Sequence, residues 1–342
     1  MNMNIIAPNI KNGGGKELLE YLLEHLCKHY RDVQVTVYLD SSMQHIEESK
    51  SLKVVFLDNS FTKIQLFYKK MDNSLYFGNL PPLRKSKNSM VYFHNLYLLM
   101  SAKKLFSFSF KFFIKYILQQ WYIYSFVKNV DVVFCQNKLI KELFINKYKF
   151  SNVDILPFFR LCEKKIDSPK YKEYDFCYVS LAHPHKNHVL LFEAMKILSD
   201  EGIAIRLAVT VESDRIELID KINEINNIGV VKIDNLGVLP KSKVCKLYAQ
   251  SKCLIFPSKE ETFGLGLIEA VDMGLDVIAA DLNYVYAVIV PSMVFNPDSA
   301  KMCANAIKEY MNNKQKKSIS LVNNEIDTLI HKLIKGQNNV QK

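Results

Sequence analysis

The sequence predicts an α/β protein made of two doubly wound domains. Three observations carry that expectation. The chain has 342 residues, against ~150 for a typical domain. It opens with a strand, a glycine break, a helix and a second strand. The same alternation returns, more regularly, in its second half. A strand–helix–strand unit implies parallel strands with the helix packed on the sheet.

In the first half, Asn4–Ala7 is an apolar strand and Asn12-Gly13-Gly14-Gly15 breaks the chain. Lys16–His25 follows as a helix, with Leu18, Leu19, Leu22, Leu23 and Leu26 at helical spacing. Val33–Leu39 alternates with period two, and Met90–Phe93 reads as a further strand. In the second half, strands are predicted at Phe176–Ser180, Ala204–Val209, Val230–Ile233, Leu254–Phe256 and Val277–Ala280. Helices are predicted at His188–Leu198, Asp214–Asn226, Lys241–Gln250, Leu265–Asp272 and Ala300–Tyr310. The stretch from Pro157 to Lys172 is charged and aperiodic, so the boundary falls there. The expected domains are 1–160 and 161–312, then a polar tail, 313–342, in which Ile319–Ile334 can form a terminal helix. Ligands of such sheets bind at the carboxyl ends of the strands.

Composition narrows the class. Apolar residues make up 49% of the chain, which supplies sizeable cores and excludes disordered and collagen-like chains. The net charge of +10 lies wholly in the first half, where residues 1–160 hold 22 basic and 12 acidic side chains. Seven cysteines without a C-x-x-C spacing read as reduced, mostly buried thiols in a cytoplasmic protein rather than a disulfide framework or zinc site. The N-terminus lacks the basic, apolar pattern of a secretory signal. No run approaches the ~18 apolar residues of a spanning helix; the greasiest region, 105–127, is broken by Lys111 and Lys115.

The densest chemistry lies between Phe256 and Ala270. A strand ends, Glu261 sits in the loop, and Gly264 lets the backbone approach a ligand before a helix whose free N–H groups suit a phosphate or sugar oxygen. Glu269, about one turn into that helix, can face the same side as Glu261 and grip a second polyol. The bland alternative is a helix cap and a solvated carboxylate. Upstream, Tyr178 to His188 ends a strand and opens a helix, and contains Lys186. His183, His185 and His188 invite a metal reading, but their spacing is not that of a helical pair and no acidic or cysteine partner is adjacent in sequence. The Gly13–Gly15 run matches neither a Walker loop nor G-x-G-x-x-G, and a plain turn remains open for it. His94, at a strand end, is open to a structural reading as well.

The segment Glu261-Thr262-Phe263-Gly264-Leu265 through Glu269-Ala270, then Gly274-Leu275-Asp276-Val277-Ile278-Ala279, resembles the signature of the family-4 retaining glycosyltransferases of the GT-B fold. The resemblance covers 175–300 strongly and 1–160 weakly. It implies two Rossmann-like domains facing each other across a cleft, and transfer of a sugar from a nucleotide-diphosphate sugar with retention. By that resemblance the catalytic residues are Glu261, which contacts the donor sugar, Lys186, which neutralises the diphosphate, and His94, near the reacting sugar. Gly14 and Gly15 belong to a loop over the phosphates, Phe263, Gly264 and Leu265 contribute backbone groups, and Glu269 holds the ribose. No cofactor or metal is expected; the chain also lacks an Asp-x-Asp clamp. Two positions depart from the pattern: Leu181, where many relatives carry Arg, and Ala287, where many carry Glu. The form His185-Lys186-Asn187-His188 resembles a subgroup acting on bacterial surface polysaccharide. The expected acceptor is therefore a lipid-linked oligosaccharide of O-antigen or capsule. A 2-epimerase on the same fold and an inactive sugar- or membrane-binding partner are the rival readings.

No acidic residue occurs between Asp72 and Asp131, where Arg84, Lys85, Lys87, Lys103, Lys104, Lys111, Lys115 and Lys128 mix with aromatics. That mixture suits an anionic membrane surface, giving an expected peripheral location at the inner face of the cytoplasmic membrane. Ordinary helices with solvated lysines remain the alternative. Without an RNA- or DNA-binding motif, a nucleic-acid partner is not expected.

Overall fold

The computed structural model describes residues 2–11, 13–162, 171–313 and 316–338. The chain divides into two compact units, residues 1–160 with 323–342, and residues 161–322. The last helix therefore belongs with the first unit rather than with a separate tail.

The first unit runs β1 (Asn2–Ala7), α1 (Gly13–His29), β2 (Gln34–Asp40), β3 (Leu52–Leu57), α2 (Ser60–Tyr68), β4 (Ser74–Tyr76) and β5 (Ser89–Phe93). It continues with α3 (Ala102–Phe106), α4 (Phe110–Phe126), β6 (Val132–Cys135), α5 (Lys138–Tyr148) and β7 (Val153–Ile155). The seven strands form one sheet in the order β3-β2-β1-β4-β5-β6-β7, and every pairing is parallel. Period-two alternation sends neighbouring side chains to opposite faces. Ile5 joins a core with the α1 leucines, whereas Ile6 joins one with Leu66, Tyr116, Ile123 and Phe144 from the helices on the other side.

The second unit runs β8 (Tyr174–Tyr178), α6 (His188–Asp200), β9 (Arg206–Val209), α7 (Ile216–Ile228), β10 (Lys232–Asn235), α8 (Lys241–Gln250), β11 (Ser251–Phe256) and α9 (Leu265–Asp272). After these come β12 (Asp276–Ala280), α10 (Asn283–Tyr286), β13 (Ile289–Val290), β14 (Met293–Phe295), α11 (Ala300–Asn312) and β15 (Ile319–Ser320). Its parallel sheet has the order β10-β9-β8-β11-β12-β14. Strand order reverses between β8 and β11, the position where such sheets open a ligand crevice. The terminal helix, α12 (Ile326–Asn338), returns to the first unit and buries Ile326, Leu329, Ile330 and Leu333 in the α1 core.

Three local expectations are corrected. Gly13–Gly15 is the first turn of α1, not a loop. The predicted helix from Ile319 starts at Ile326, because Ile319 and Ser320 pair antiparallel with Val290 and Ile289. Not all the cysteines are reduced: Cys162 and Cys245 form a disulfide across 83 residues of sequence, and the other five are free. That separation leaves no spacing signal, since the pair is made by folding the connecting segment onto α8. The reduced-thiol argument for a cytoplasmic setting falls with it. Of the expected boundary segment, residues 163–170 lie outside the described residues.

Candidate active site

In the second unit, the loops after β8 and β11 meet at the order reversal. After β8, Ser180 is fixed to Thr210, whose Oγ1 accepts from the Ser180 N–H at 2.9 Å. Pro184–Lys186 forms a 3-10 turn. Asn187 follows in the left-handed region at φ 60°. Its amide donates to the carbonyls of Pro257 and Pro297 at 3.2 and 2.9 Å, joining three loops. Tyr178 supports the turn from beneath, its hydroxyl donating to the Lys186 carbonyl at 2.7 Å. The Lys259 N–H donates to the His185 carbonyl at 2.7 Å.

This scaffold brings Lys186 and Glu261 together, with Nζ 2.5 Å from Oε1 and the side chains 19% and 13% exposed. The ammonium and carboxylate thus neutralise one another. Tyr284 lies beneath, its hydroxyl donating to the Ser258 carbonyl at 2.6 Å. Burial, reinforced by the Glu261 charge, raises its pKa. Burial and the adjacent Lys186 charge lower that of His185.

Gly264 opens α9 in the left-handed region at φ 74°, where a Cβ would also stand 3.0 Å from Leu267 Cδ1. Glycine is the residue that adopts this conformation without penalty, and it starts the helix with no side-chain cap. The Leu267 N–H already donates to the Gly264 carbonyl at 2.9 Å, so the N–H groups that suit an anion at this helix start are those of Leu265 and Gly266. Phe263 is buried beside them at 3% exposure. Glu269, further along α9, is also buried, and its Oε1 takes the ammonium of Lys241 at the start of α8.

Sequence reasoning missed Lys241 and Asn187. One of many lysines carries no mark of its partner, although a carboxylate predicted on the apolar α9 calls for some cation. Leu181 is 41% exposed, so no side-chain charge stands at that place. Ala287 ends α10, where its N–H donates to the Asn283 carbonyl. The three clustered histidines separate. His183 and His185 stack at 5.8 Å, whereas His188 is buried against Tyr178 with neither ring nitrogen hydrogen-bonded. Burial lowers the His188 pKa to about 4, so it is a neutral core ring.

In the first unit, His94 follows β5 and its ring lies 5.2 Å from that of Phe77. The His94 backbone N–H donates to Asn79 Oδ1 at 2.7 Å. Burial lowers the imidazole to about 4, with the Tyr92 backbone opposing in part. Gly14 and Gly15 lie in the first turn of α1, which carries no acidic side chain. A Cβ on Gly15 would stand 2.9 Å from His94 Nε2, so the glycine is what lets helix and histidine approach.

On the helical side of the Ile6 core, α3 and α4 leave a long apolar stripe open. Phe106, Phe110, Leu118, Trp121 and Tyr124 are each at least 60% exposed. Lys103, Lys104, Lys111 and Lys115 are exposed beside them. Among the described residues, no helix is long and apolar enough to cross a membrane.

Two parallel doubly wound sheets, the second with the Lys186–Glu261 pair at its order reversal, have the architecture of the GT-B fold. Residues 163–326, which span most of the second unit, match the family described as Glycosyl transferases group 1. Solved structures share the fold. Sucrose-phosphate synthase from Thermosynechococcus elongatus is 15% identical, over 91% of this chain and 90% of that one, with a TM-score of 0.65. Anabaena HepE in complex with UDP is 14% identical, over 99% and 98%, with a TM-score of 0.65. WaaG, a glycosyltransferase involved in lipopolysaccharide biosynthesis, is 14% identical, over 90% of each chain, with a TM-score of 0.63. At these identities the likeness is one of fold. No curated protein sequence matches the chain.

Proposed function

We propose that this glycosyltransferase moves a sugar from a nucleoside-diphosphate sugar to a lipid-linked oligosaccharide during assembly of a bacterial surface polysaccharide, O-antigen or capsule. The bond it forms keeps the donor's anomeric configuration. The observation that carries the donor reading is the Lys186–Glu261 pair at the order reversal, beside the uncapped start of α9. The UDP held by HepE and the lipopolysaccharide role of WaaG support it by likeness.

In this reaction the bond between the anomeric carbon and the diphosphate oxygen breaks, and the electron pair leaves with the diphosphate. The acceptor hydroxyl attacks from the same face and its proton passes to the departing phosphate oxygen. Lys186 and the N–H groups of α9 stabilise the charge that develops there, where fixed donors act most strongly. These groups supply the role a divalent cation plays elsewhere, so the reaction is metal-independent. Glu261 positions the sugar, Phe263, Gly264 and Leu265 shape the backbone cradle, and Glu269 takes the ribose. The family resemblance assigns Gly14 and Gly15 to the phosphates and His94 to the reacting sugar. The acceptor's lipid places the protein at the inner face of the cytoplasmic membrane. There the α3–α4 lysines meet anionic headgroups and the aromatic stripe enters the interface.

The test is thermal stabilisation by UDP, GDP, CDP and ADP, with and without EDTA. A ligand that binds the native state raises its melting temperature. One nucleotide should stabilise strongly and equally in EDTA. Loss of the shift in EDTA would overturn metal independence, and no shift with any of the four would overturn the donor site.

A further inference from the structure

We infer that Lys241 is a positioning residue for Glu269, and that through it α8 sets the preference for ribonucleotide over deoxyribonucleotide donors. The inference rests on the donor-site reading of the second unit and extends it to a residue outside the family signature.

Glu269 sits among Leu267, Ile268 and Ala270, none more than 2% exposed, and is itself 6% exposed. A carboxylate so placed loses its hydration and needs a fixed counter-charge to stay ionised. Lys241 supplies one from another helix, its Nζ against Glu269 Oε1. The location of this lysine is otherwise unfavourable. It is the first residue of α8, follows Pro240, and lies where the helix has no side-chain cap and no acidic group. A cation at a helix N-terminus opposes the dipole and weakens the helix. The contact with Glu269 offsets that cost.

The placement is also rigid. Val244, Cys245, Leu247, Tyr248 and Ala249 bury one face of α8, and Cys245 is tied to Cys162 four residues past Lys241. Lys241 is 26% exposed and Glu269 8% on the side chain. The ammonium thus reaches inward along the helix to a carboxylate that solvent barely touches. The contact between Lys241 Nζ and Glu269 Oε1 fixes the orientation of the carboxylate. An oriented carboxylate accepts from a ribose hydroxyl far better than a rotating one. Removing the lysine should therefore lose the hydroxyl-dependent part of nucleotide affinity and spare the rest.

The experiment compares wild type, Lys241→Met, Lys241→Arg and Lys241→Met/Glu269→Gln. Isothermal titration is run with whichever of UDP, GDP, CDP and ADP binds tightest, and with its 2′- and 3′-deoxy forms. Wild type should prefer the ribonucleotide over at least one deoxy form by about tenfold or more, the range of a charge-assisted hydrogen bond. Lys241→Met should bring the two affinities together by weakening the ribonucleotide alone, and Lys241→Arg should restore most of the difference. The double variant removes the unpaired buried charge, so it should fold and still show no preference. Equal weakening of both nucleotides, or an unchanged ratio, would overturn the positioning role. If wild type binds a nucleoside diphosphate without regard to its ribose hydroxyls, the role of Glu269 fails while the donor site stands. If wild type binds none, the donor-site reading fails and this inference with it.

Discussion

The Lys186–Glu261 pair makes stability and activity respond differently to the same substitutions. Both side chains are largely out of water, at 19% and 13% exposure. Removing one partner strands the other as a poorly solvated charge. Fully buried pairs lose about 3–5 kcal/mol in this way, whereas exposed pairs lose about 1 kcal/mol or less. Partial exposure places Lys186→Met and Glu261→Gln at about 2–3 kcal/mol each. For a unit of this size that corresponds to a melting temperature lower by roughly 4–12 °C. The double variant has no charge to strand and should recover most of the loss, giving a coupling of about 2 kcal/mol. Activity should not recover. On the proposed mechanism, removing the group that stabilises the leaving diphosphate costs about 10²–10³ in rate, and the double variant would lack the sugar-positioning carboxylate as well. The assay is urea unfolding of the four proteins beside donor turnover. Additive stabilities would show that the pair contributes nothing in solution. Wild-type turnover in the double variant would remove both residues from the mechanism.

Three further outcomes follow from particular contacts. Burial pushes His94 and His188 down to about 4, from 6.5 for an ordinary imidazole. The unfolded chain therefore binds more protons between those limits. Their contribution is complete above pH 6.5 and is lost as pH falls toward 4; in urea unfolding, His188→Gln should flatten that decline, and an unchanged slope would refute the assignment. Gly15→Ala should push His94 from its place, since the added carbon meets Nε2 at 2.9 Å; a crystal structure with His94 unmoved would contradict this. Replacing Lys103, Lys104, Lys111 and Lys115 by Gln should weaken binding to anionic vesicles by roughly a thousandfold, at about 1 kcal/mol per cation, and unchanged co-sedimentation would sink the membrane reading of this surface.

What the sequence revealed and what it concealed divide along a physical line. The bounds of α8 and α9 were readable to the residue because local punctuation sets them. Pro240 precedes one helix, Gly264 opens the other, and Gly274 at φ 79° follows the end of the second. Glu261, Phe263, Gly264 and Glu269 were readable for the same reason, lying within one strand–loop–helix stretch. Features made by distant packing were hidden. Gly13–Gly15 has poor helix propensity and reads as a break. It is nevertheless helical, and Gly15 admits the His94 ring at close range. The start of α12 was misjudged because Ile319 is taken up by a two-residue strand that no periodicity can reveal.

The two ion pairs show how this division bears on function. Each carboxylate belongs to the local signature, and each cation, Lys186 or Lys241, comes from a different loop or helix of the second unit. The signature thus names the acceptors, and the tertiary fold decides their charge and orientation. On the proposed mechanism, a donor diphosphate that draws Lys186 away from Glu261 would free that carboxylate for the sugar. Glu269, held by a lysine on a buried and cross-linked helix, has no comparable release. On that mechanism one pair exchanges partners during binding and the other stays fixed. On that argument Lys186 variants should alter binding of the diphosphate itself, whereas Lys241 variants should alter recognition of the ribose alone.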